Sequence, residues 1–279
     1  VATPVIRESL GGIKHPAFRD ALALTRQGGR DATGRYLVED ADQVLQALAS
    51  PSPVYAVFAT PESATGALEA ACAARGVPLY IAGGGLLPKL VGTGYSTATT
   101  AVAVVGKRPF LLDDVLRDRP DALLLCGEHI QDPRNVGVLV RTAEAAGCAA
   151  LVLSEDSAEP YSRQAVRSTT GSILRLPVVR AKDLPAALRG LRERSISVVA
   201  TSARAPRLAY EADLTVRPLA LLVGNETDGL TDAARDAAAD FVRLPMAPEG
   251  ASSLNVTVAA GVLVYEAVRQ AIQSGRRHA

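Results

Sequence analysis

The carboxyl half of this chain repeats one pattern: a short, near-continuous apolar run, a polar or glycine-bearing loop, then a stretch of helical period. Ala122–Cys126, Ala149–Leu153, Ile196–Ala200 and Leu219–Val223 are such runs. Strands that are apolar at nearly every position are covered on both faces, which in a β-α-β repeat means a parallel sheet between helices. Helices are expected at Val136–Ala146 and Leu184–Arg194, and a short strand at Phe241–Leu244 precedes a long helix expected over Leu254–Gln273. The fold class is therefore α/β.

The amino-terminal half alternates in the same way with weaker signals. Strands are expected at Tyr36–Val38, Val54–Ala59, Val77–Ile81 and Ala101–Val105, and helices at Asp40–Ala49, Glu62–Arg75 and Leu86–Val91. With 279 residues, of which 48% are apolar, two cores are expected. Residues 1–107 form a small α/β domain, residues 108–120 a linker broken by Pro109 and Pro120 with at most one helical stretch, and residues 121–279 the second domain.

No apolar run approaches the length that spans a bilayer, and the amino terminus carries no signal-peptide pattern, so a cytoplasmic protein is expected. Cys72, Cys126 and Cys148 are odd in number, far apart and set in apolar surroundings, which favours buried free thiols over a disulfide or a metal site. A net charge of +1 argues against indiscriminate nucleic-acid binding. It leaves room for a local basic patch, and Lys14, Arg19, Arg26, Arg30 and Arg35 stand against only Asp20 and Asp31 between residues 14 and 35. That segment is a candidate for contacts with RNA phosphates, or else a solvated face.

The common nucleotide and nucleophile motifs are missing. Gly83, Gly84 and Gly85 fail the GxGxxG spacing, and there is no GxxxxGK[ST]. Gly94, Tyr95, Ser96 and Thr97 lack the second glycine of a nucleophile elbow, and His15, His129 and His278 are the only imidazoles that could serve it.

Chemistry-bearing residues concentrate in three loops. After Leu221, Leu222 and Val223 comes Gly224, with Asn225, Glu226, Asp228 and Gly229 at a strand's carboxyl end, where α/β sheets bind ligands. After Leu244, Pro245 and Met246, the residues Ser252, Ser253, Leu254 and Asn255 stand at the mouth of the last helix. Upstream, Asp132 and Pro133 form a turn, Asn135 is a candidate helix cap, and Arg141 follows two turns in. Taken singly, each has an ordinary structural explanation, such as a surface pair of Arg141 with Glu144.

Taken in order, NVGVLVR (135–141), GNETDGL (224–230) and LPMAPEGASSLNV (244–256) resemble the three motifs of the SpoU/TrmH family of RNA ribose 2'-O-methyltransferases, within the SPOUT superfamily. GRYLVEDADQVLQAL (34–48) is similar to that family's ribosomal-protein-like substrate-binding domain. By overall likeness the chain most resembles antibiotic-resistance enzymes acting on 23S ribosomal RNA. The resemblance implies a catalytic domain tied in a deep trefoil knot, S-adenosylmethionine as methyl donor, no metal, and a homodimer. It implies cofactor contacts from Gly224, Asn225, Glu226, Gly229, Leu244, Met246, Ser253 and Leu254, and from Thr201, Ser202 and Ala203 after an earlier strand. It also maps a polar catalytic set onto Asn135, Arg141, Glu226, Ser253 and Asn255.

A guanidinium is effectively always protonated, so Arg141 suits charge stabilisation or phosphate orientation better than proton abstraction. His129, on the same strand-to-helix loop as Asn135, is a rival base. Glu226 either touches substrate or holds Asn255 or a backbone amide. Transfer-RNA ribose methylation, methylation of a base nitrogen, and a non-catalytic RNA-binding role are the competing functions.

Overall fold

The structure, a computed structural model, describes residues 7–64, 66–83, 85–91, 99–251 and 253–275. Gly84, the stretch from Gly94 to Thr97, Ser252 and His278 lie outside the described residues. Two compact units divide the chain: residues 1–108 with 161–175, and residues 109–160 with 176–279.

In the first unit, β1 (Arg7–Ser9), β2 (Arg35–Glu39), β3 (Val54–Ala59), β4 (Leu79–Ile81) and β5 (Ala101–Gly106) form one mixed sheet in the order β1-β4-β3-β5-β2. Helices α1 (Pro16–Ala23), α2 (Gln27–Thr33), α3 (Ala41–Ala49), α4 (Ala67–Arg75) and α5 (Leu86–Val91) accompany it. Phe18, Phe58, Leu87, Leu90 and Val102 anchor a core of this unit. The segment expected only to lead into β2 is thus largely helical. Pro16 opens α1, where its missing N–H costs nothing, and Gly34 closes α2 in the left-handed region at φ 64°.

The second unit begins with α6 (Leu112–Asp118), β6 (Leu123–Gly127), α7 (Pro133–Ala145) and β7 (Ala150–Ser154). The expected linker is part of this unit's core: Val115 is buried in it, and Phe110, Leu112 and Leu116 pack against it. After β7 the chain enters α8 (Arg163–Thr169), which belongs to the first unit and not, as expected, to the second. There Arg163 and Arg167 donate to Glu39 at 3.0 and 2.8 Å, and the Tyr161 and Tyr36 rings lie 5.0 Å apart. Glu39 is only 2% exposed, and a buried carboxylate needs such partners.

Then follow β8 (Val178–Ala181), α9 (Leu184–Glu193), β9 (Ser197–Thr201), β10 (Arg207–Leu208), β11 (Leu219–Val223), α10 (Asp232–Ala237), β12 (Asp240–Arg243) and α11 (Val256–Gln273). The sheet order is β10-β12-β9-β11-β6-β7-β8, and every pairing is parallel. All residues of β6, β7 and β11 are buried, as their unbroken apolar character requires. Because β12, β9 and β11 are neighbours running the same way, the loops after all three leave one edge of the sheet side by side.

Candidate active site

That edge holds a cleft of about 650 Å³. Thr201, Ser202, Ala203, Gly224, Asn225, Glu226, Gly229, Leu244, Met246, Ser253 and Leu254 all line it, so every residue expected at the cofactor falls in one place. Residues not singled out from the sequence join them. Arg204, Arg235 and Arg243 bring cations, Asp232 with Asp228 and Glu226 brings anions, and Val256 and Ala259 extend the apolar wall formed by Leu244 and Leu254. The arginines carry no sequence signal, since arginine is common throughout this chain; the loop after β9 brings Arg204 to this edge, and the arrival of α10 and β12 brings Arg235 and Arg243.

The turn after β11 is rigid for identifiable reasons. Asn225 and Gly229 exchange backbone hydrogen bonds at 3.0 and 3.1 Å. The buried side chain of Asn225 accepts from the N–H groups of Thr227 and Asp228 at 2.7 and 3.1 Å, and its amide donates to the His129 carbonyl at 2.8 Å. A Cβ on Gly224 would stand 2.5 Å from the Gly229 carbonyl carbon, so the turn closes this tightly only with glycine there. Behind it, the buried carboxylate of Glu128 accepts from the Thr231 N–H at 2.9 Å and hydroxyl at 2.7 Å, while the same hydroxyl caps α10 by accepting from Ala234. Glu128 was missed from sequence, although an acid directly after an apolar strand is itself a signal.

Asn135 does not cap α7. Pro133 occupies the first helical position, where its missing N–H is tolerated, so the cap is Asp132, which accepts from the Arg134 N–H at 2.8 Å. The Arg134 guanidinium bonded to Asp132 also holds that carboxyl below the usual carboxylate range. Asn135 is thereby freed for another task. Its amide donates to Glu226, and its carbonyl oxygen accepts from the Asn255 amide at 3.4 Å. Asn255 caps α11, accepting from the Thr257 N–H at 2.9 Å. Glu226, Asn135 and Asn255 therefore form one hydrogen-bonded chain across all three motifs, with Glu226 held by Asn135.

Of the remaining expected residues, Ser253 is exposed on the cleft wall. Arg141 is not in the lining. It sits six residues beyond Asn135 on α7, roughly 9 Å along the helix axis, exposed and with no ion pair among the described residues. The surface pair with Glu144 is not formed. His129, the rival base, adopts a left-handed conformation at φ 54°, donates its N–H to Ser154 Oγ at 2.9 Å, and sets its Nε2 2.8 Å from Asp156. Its ring is outside the cleft lining.

In the first unit, Lys14, Arg19 and Arg26 are exposed and available to a polyanion. Arg30 is not: it is 6% exposed and donates to the Leu24 carbonyl at 2.8 Å, so its role is structural. Arg35 is half-buried with its guanidinium over the Tyr55 ring. All three cysteines are free and buried, and burial pushes the Cys126 and Cys148 thiols up to about 12. Among the described residues no group of three or more His, Cys, Asp or Glu side chains is placed to hold a metal. Likewise no helix among them is long and apolar enough to cross a membrane.

Residues 122–265 match the model of the SpoU rRNA Methylase family. The 23S rRNA (guanosine-2'-O-)-methyltransferase RlmB of Vibrio vulnificus is 37% identical over 163 residues, covering 58% of this chain. The aligned part spans 65% of that relative, just under two thirds of its length. An "uncharacterized tRNA/rRNA methyltransferase" of Synechocystis is 30% identical over 266 residues, 94% of each chain. Among solved structures, the SpoU methyltransferase AviRb of Streptomyces viridochromogenes, in complex with AdoMet, superposes with a TM-score of 0.82 at 29% identity, covering 95% of this chain and 100% of that one.

Proposed function

Because this chain belongs to the SpoU rRNA methylase family, we propose that it transfers a methyl group from S-adenosylmethionine to a ribose 2'-hydroxyl of 23S ribosomal RNA. The observation that carries this reading is the single cleft lined by all the motif residues expected at the cofactor. Its volume lies in the range of small-molecule sites. Its lining also suits the ligand: apolar Leu244, Leu254 and Val256 for a flat ring, carboxylates for a cationic centre and an ammonium, and guanidinium groups for a carboxylate. Gly224 lets the turn that lines the cleft close against Gly229.

When bound, the cofactor would supply an electrophilic methyl on a sulfonium: the ribose oxygen takes the methyl, the sulfur leaves with the C–S electron pair as a neutral thioether, and the hydroxyl proton passes to water. The protein's part is alignment and charge control. Asn135 and Asn255, fixed by Glu226 and by the α11 cap, present amide groups that hold a ribose in one orientation. Arg141, exposed on α7, stabilises developing negative charge or turns the adjacent phosphate. Ser253 adds a hydroxyl at the cleft mouth.

Three further elements belong to the proposal. The carboxyl-terminal loops are threaded as the family's trefoil knot, in keeping with β9, β11 and β12 lying side by side. The protein works in the cytoplasm as a homodimer, supported by the exposed stripe Val258, Val262, Tyr265 and Ile272 along α11. Exposed Lys14, Arg19 and Arg26, with Arg35, contact RNA phosphates. The antibiotic-resistance role rests on overall likeness alone.

Incubation of the full chain with methyl-labelled S-adenosylmethionine and either 23S ribosomal RNA or transfer RNA, followed by digestion to nucleosides, tests the reading. Label on a ribose 2'-oxygen of 23S RNA is expected. Label on a base, or on transfer RNA only, refutes it.

A further inference from the structure

Strand β3 departs from a regular ladder at one point. Val54 pairs with Val105 and Ala56 with Val104, so Tyr55 is the extra residue of a β-bulge. Bulges re-aim side chains, and Tyr55 is the one exposed large apolar side chain on β2, β3 and β5, at 43%. Its ring lies against Gly106 at the end of β5. A Cβ there would stand 3.3 Å from Tyr55 Cε2 and 3.4 Å from Pro53 Cβ, so glycine leaves the room the ring occupies. Across the sheet Arg35 pairs with Gly106, and its guanidinium carbon sits 3.7 Å from the Tyr55 ring centroid. No carboxylate among the described residues pairs with Arg35. The neighbouring Lys107, by contrast, is 3.0 Å from Asp31.

We propose that Tyr55 and Arg35 form a stacking subsite for an unpaired base of the RNA substrate, an inference that rests on the RNA methyltransferase reading. Two stacked planar groups at a surface, one of them carrying a charge that no carboxylate among the described residues neutralises, match what an extruded nucleotide offers: a flat π-face and a phosphate. A protein partner would need an apolar patch, and the other large side chains of these strands are covered.

The test measures binding of the full chain to a hairpin oligoribonucleotide with a mixed-sequence loop, and to a fully paired duplex of equal length, across a salt series. Tyr55→Ala should weaken hairpin binding about tenfold with an unchanged salt slope, and leave duplex binding as it was. Tyr55→Phe should bind as the parent does, and Arg35→Ala should lower the slope by about one unit. A 4-thiouridine in the loop should crosslink to the peptide containing Tyr55. A folded Tyr55→Ala protein that binds the hairpin normally, or loses hairpin and duplex equally, overturns the subsite while leaving the RNA reading intact. If that variant does not fold, a crosslink that avoids the Tyr55 peptide overturns it. A parent protein that binds neither RNA overturns both.

Discussion

The amide of Asn255 donates to the side-chain oxygen of Asn135 at 3.4 Å, joining the cap of the last helix to the first turn of α7 across 120 positions of sequence. With Glu226 on the other side of Asn135, three loops share one polar chain.

Asn135→Ala should therefore cut methyl transfer by at least about tenfold while costing only about 1 kcal/mol of stability, the value of a partly exposed hydrogen bond. Asn135→Asp should be worse, because it sets a second carboxylate against Glu226. Initial rates with labelled cofactor, read beside thermal melting, check this. An Asn135→Asp enzyme with full activity would remove the chain from the mechanism.

Arg141→Ala should leave stability within about 0.5 kcal/mol, since the side chain is exposed and makes no ion pair among the described residues. Turnover should fall on the order of 10²-fold with little change in cofactor affinity, because Arg141 is outside the cleft lining. Arg141→Lys keeps the charge and should retain part of the rate. Unchanged turnover in the alanine variant would make Arg141 a surface residue only.

The basic residues of the first unit should separate into two classes. Neutralising Arg19 and Arg26 together should weaken RNA binding and flatten its salt dependence by roughly one unit for each phosphate that no longer meets a cation. Arg30→Ala should instead destabilise the protein by about 1–3 kcal/mol, because it leaves the Leu24 carbonyl without its charged donor. Equal effects of all three on RNA affinity, with equal melting temperatures, would contradict this division.

Helix α11 buries Ala260, Leu263, Val264 and Ala267 and leaves Val258, Val262 and Tyr265 at 50%, 37% and 50% exposure. Sedimentation at micromolar concentration should give twice the 29.0 kDa chain mass, reduced to one chain by Val262→Glu with Tyr265→Glu. A parent protein sedimenting as a single chain rules the dimer out.

Glu266 accepts from Arg269 at 2.7 Å twice and from Gln270 at 2.8 Å. The Arg269 hydrogen bonds hold its carboxyl below the usual carboxylate range, against the smaller opposing effect of burial. Its folded pKa is thus below the unfolded one, so the stabilisation is complete above the unfolded value and is lost as pH falls through the folded value. Glu266→Gln should melt below the parent at neutral pH, with the gap closing under acid conditions. A gap that stays constant down to strongly acid pH would show that Glu266 is not the titrating group.

The residues themselves state much of this architecture. ALLLC (122–126) and LALLV (219–223) read as strands buried on both faces because each is apolar throughout, and the strands found at Leu123–Gly127 and Leu219–Val223 are buried at every residue. Helix α8 was not legible: seven residues are too few to display a period, and its partner Glu39 lies 124 positions away from Arg163. Counting charges placed Arg30 with the exposed arginines, and only packing shows its guanidinium turned inward to Leu24. Asn135 resembled a cap because the cap preference is local, whereas Pro133 shifts the helix start to Asp132.

Sequence alone determined the alternation of strands and helices, the loops that carry polar residues, and the family those loops resemble, since each is written in composition and spacing over a few residues. Tertiary structure decided which of those loops meet. The order β12-β9-β11 sets Thr201, Gly224 and Leu244 around one cleft, and the arrival of α10 at that edge adds Arg235 and Asp232. Adjacency of that kind depends on strand order and on side chains finding partners a hundred residues away, which no local period or propensity encodes.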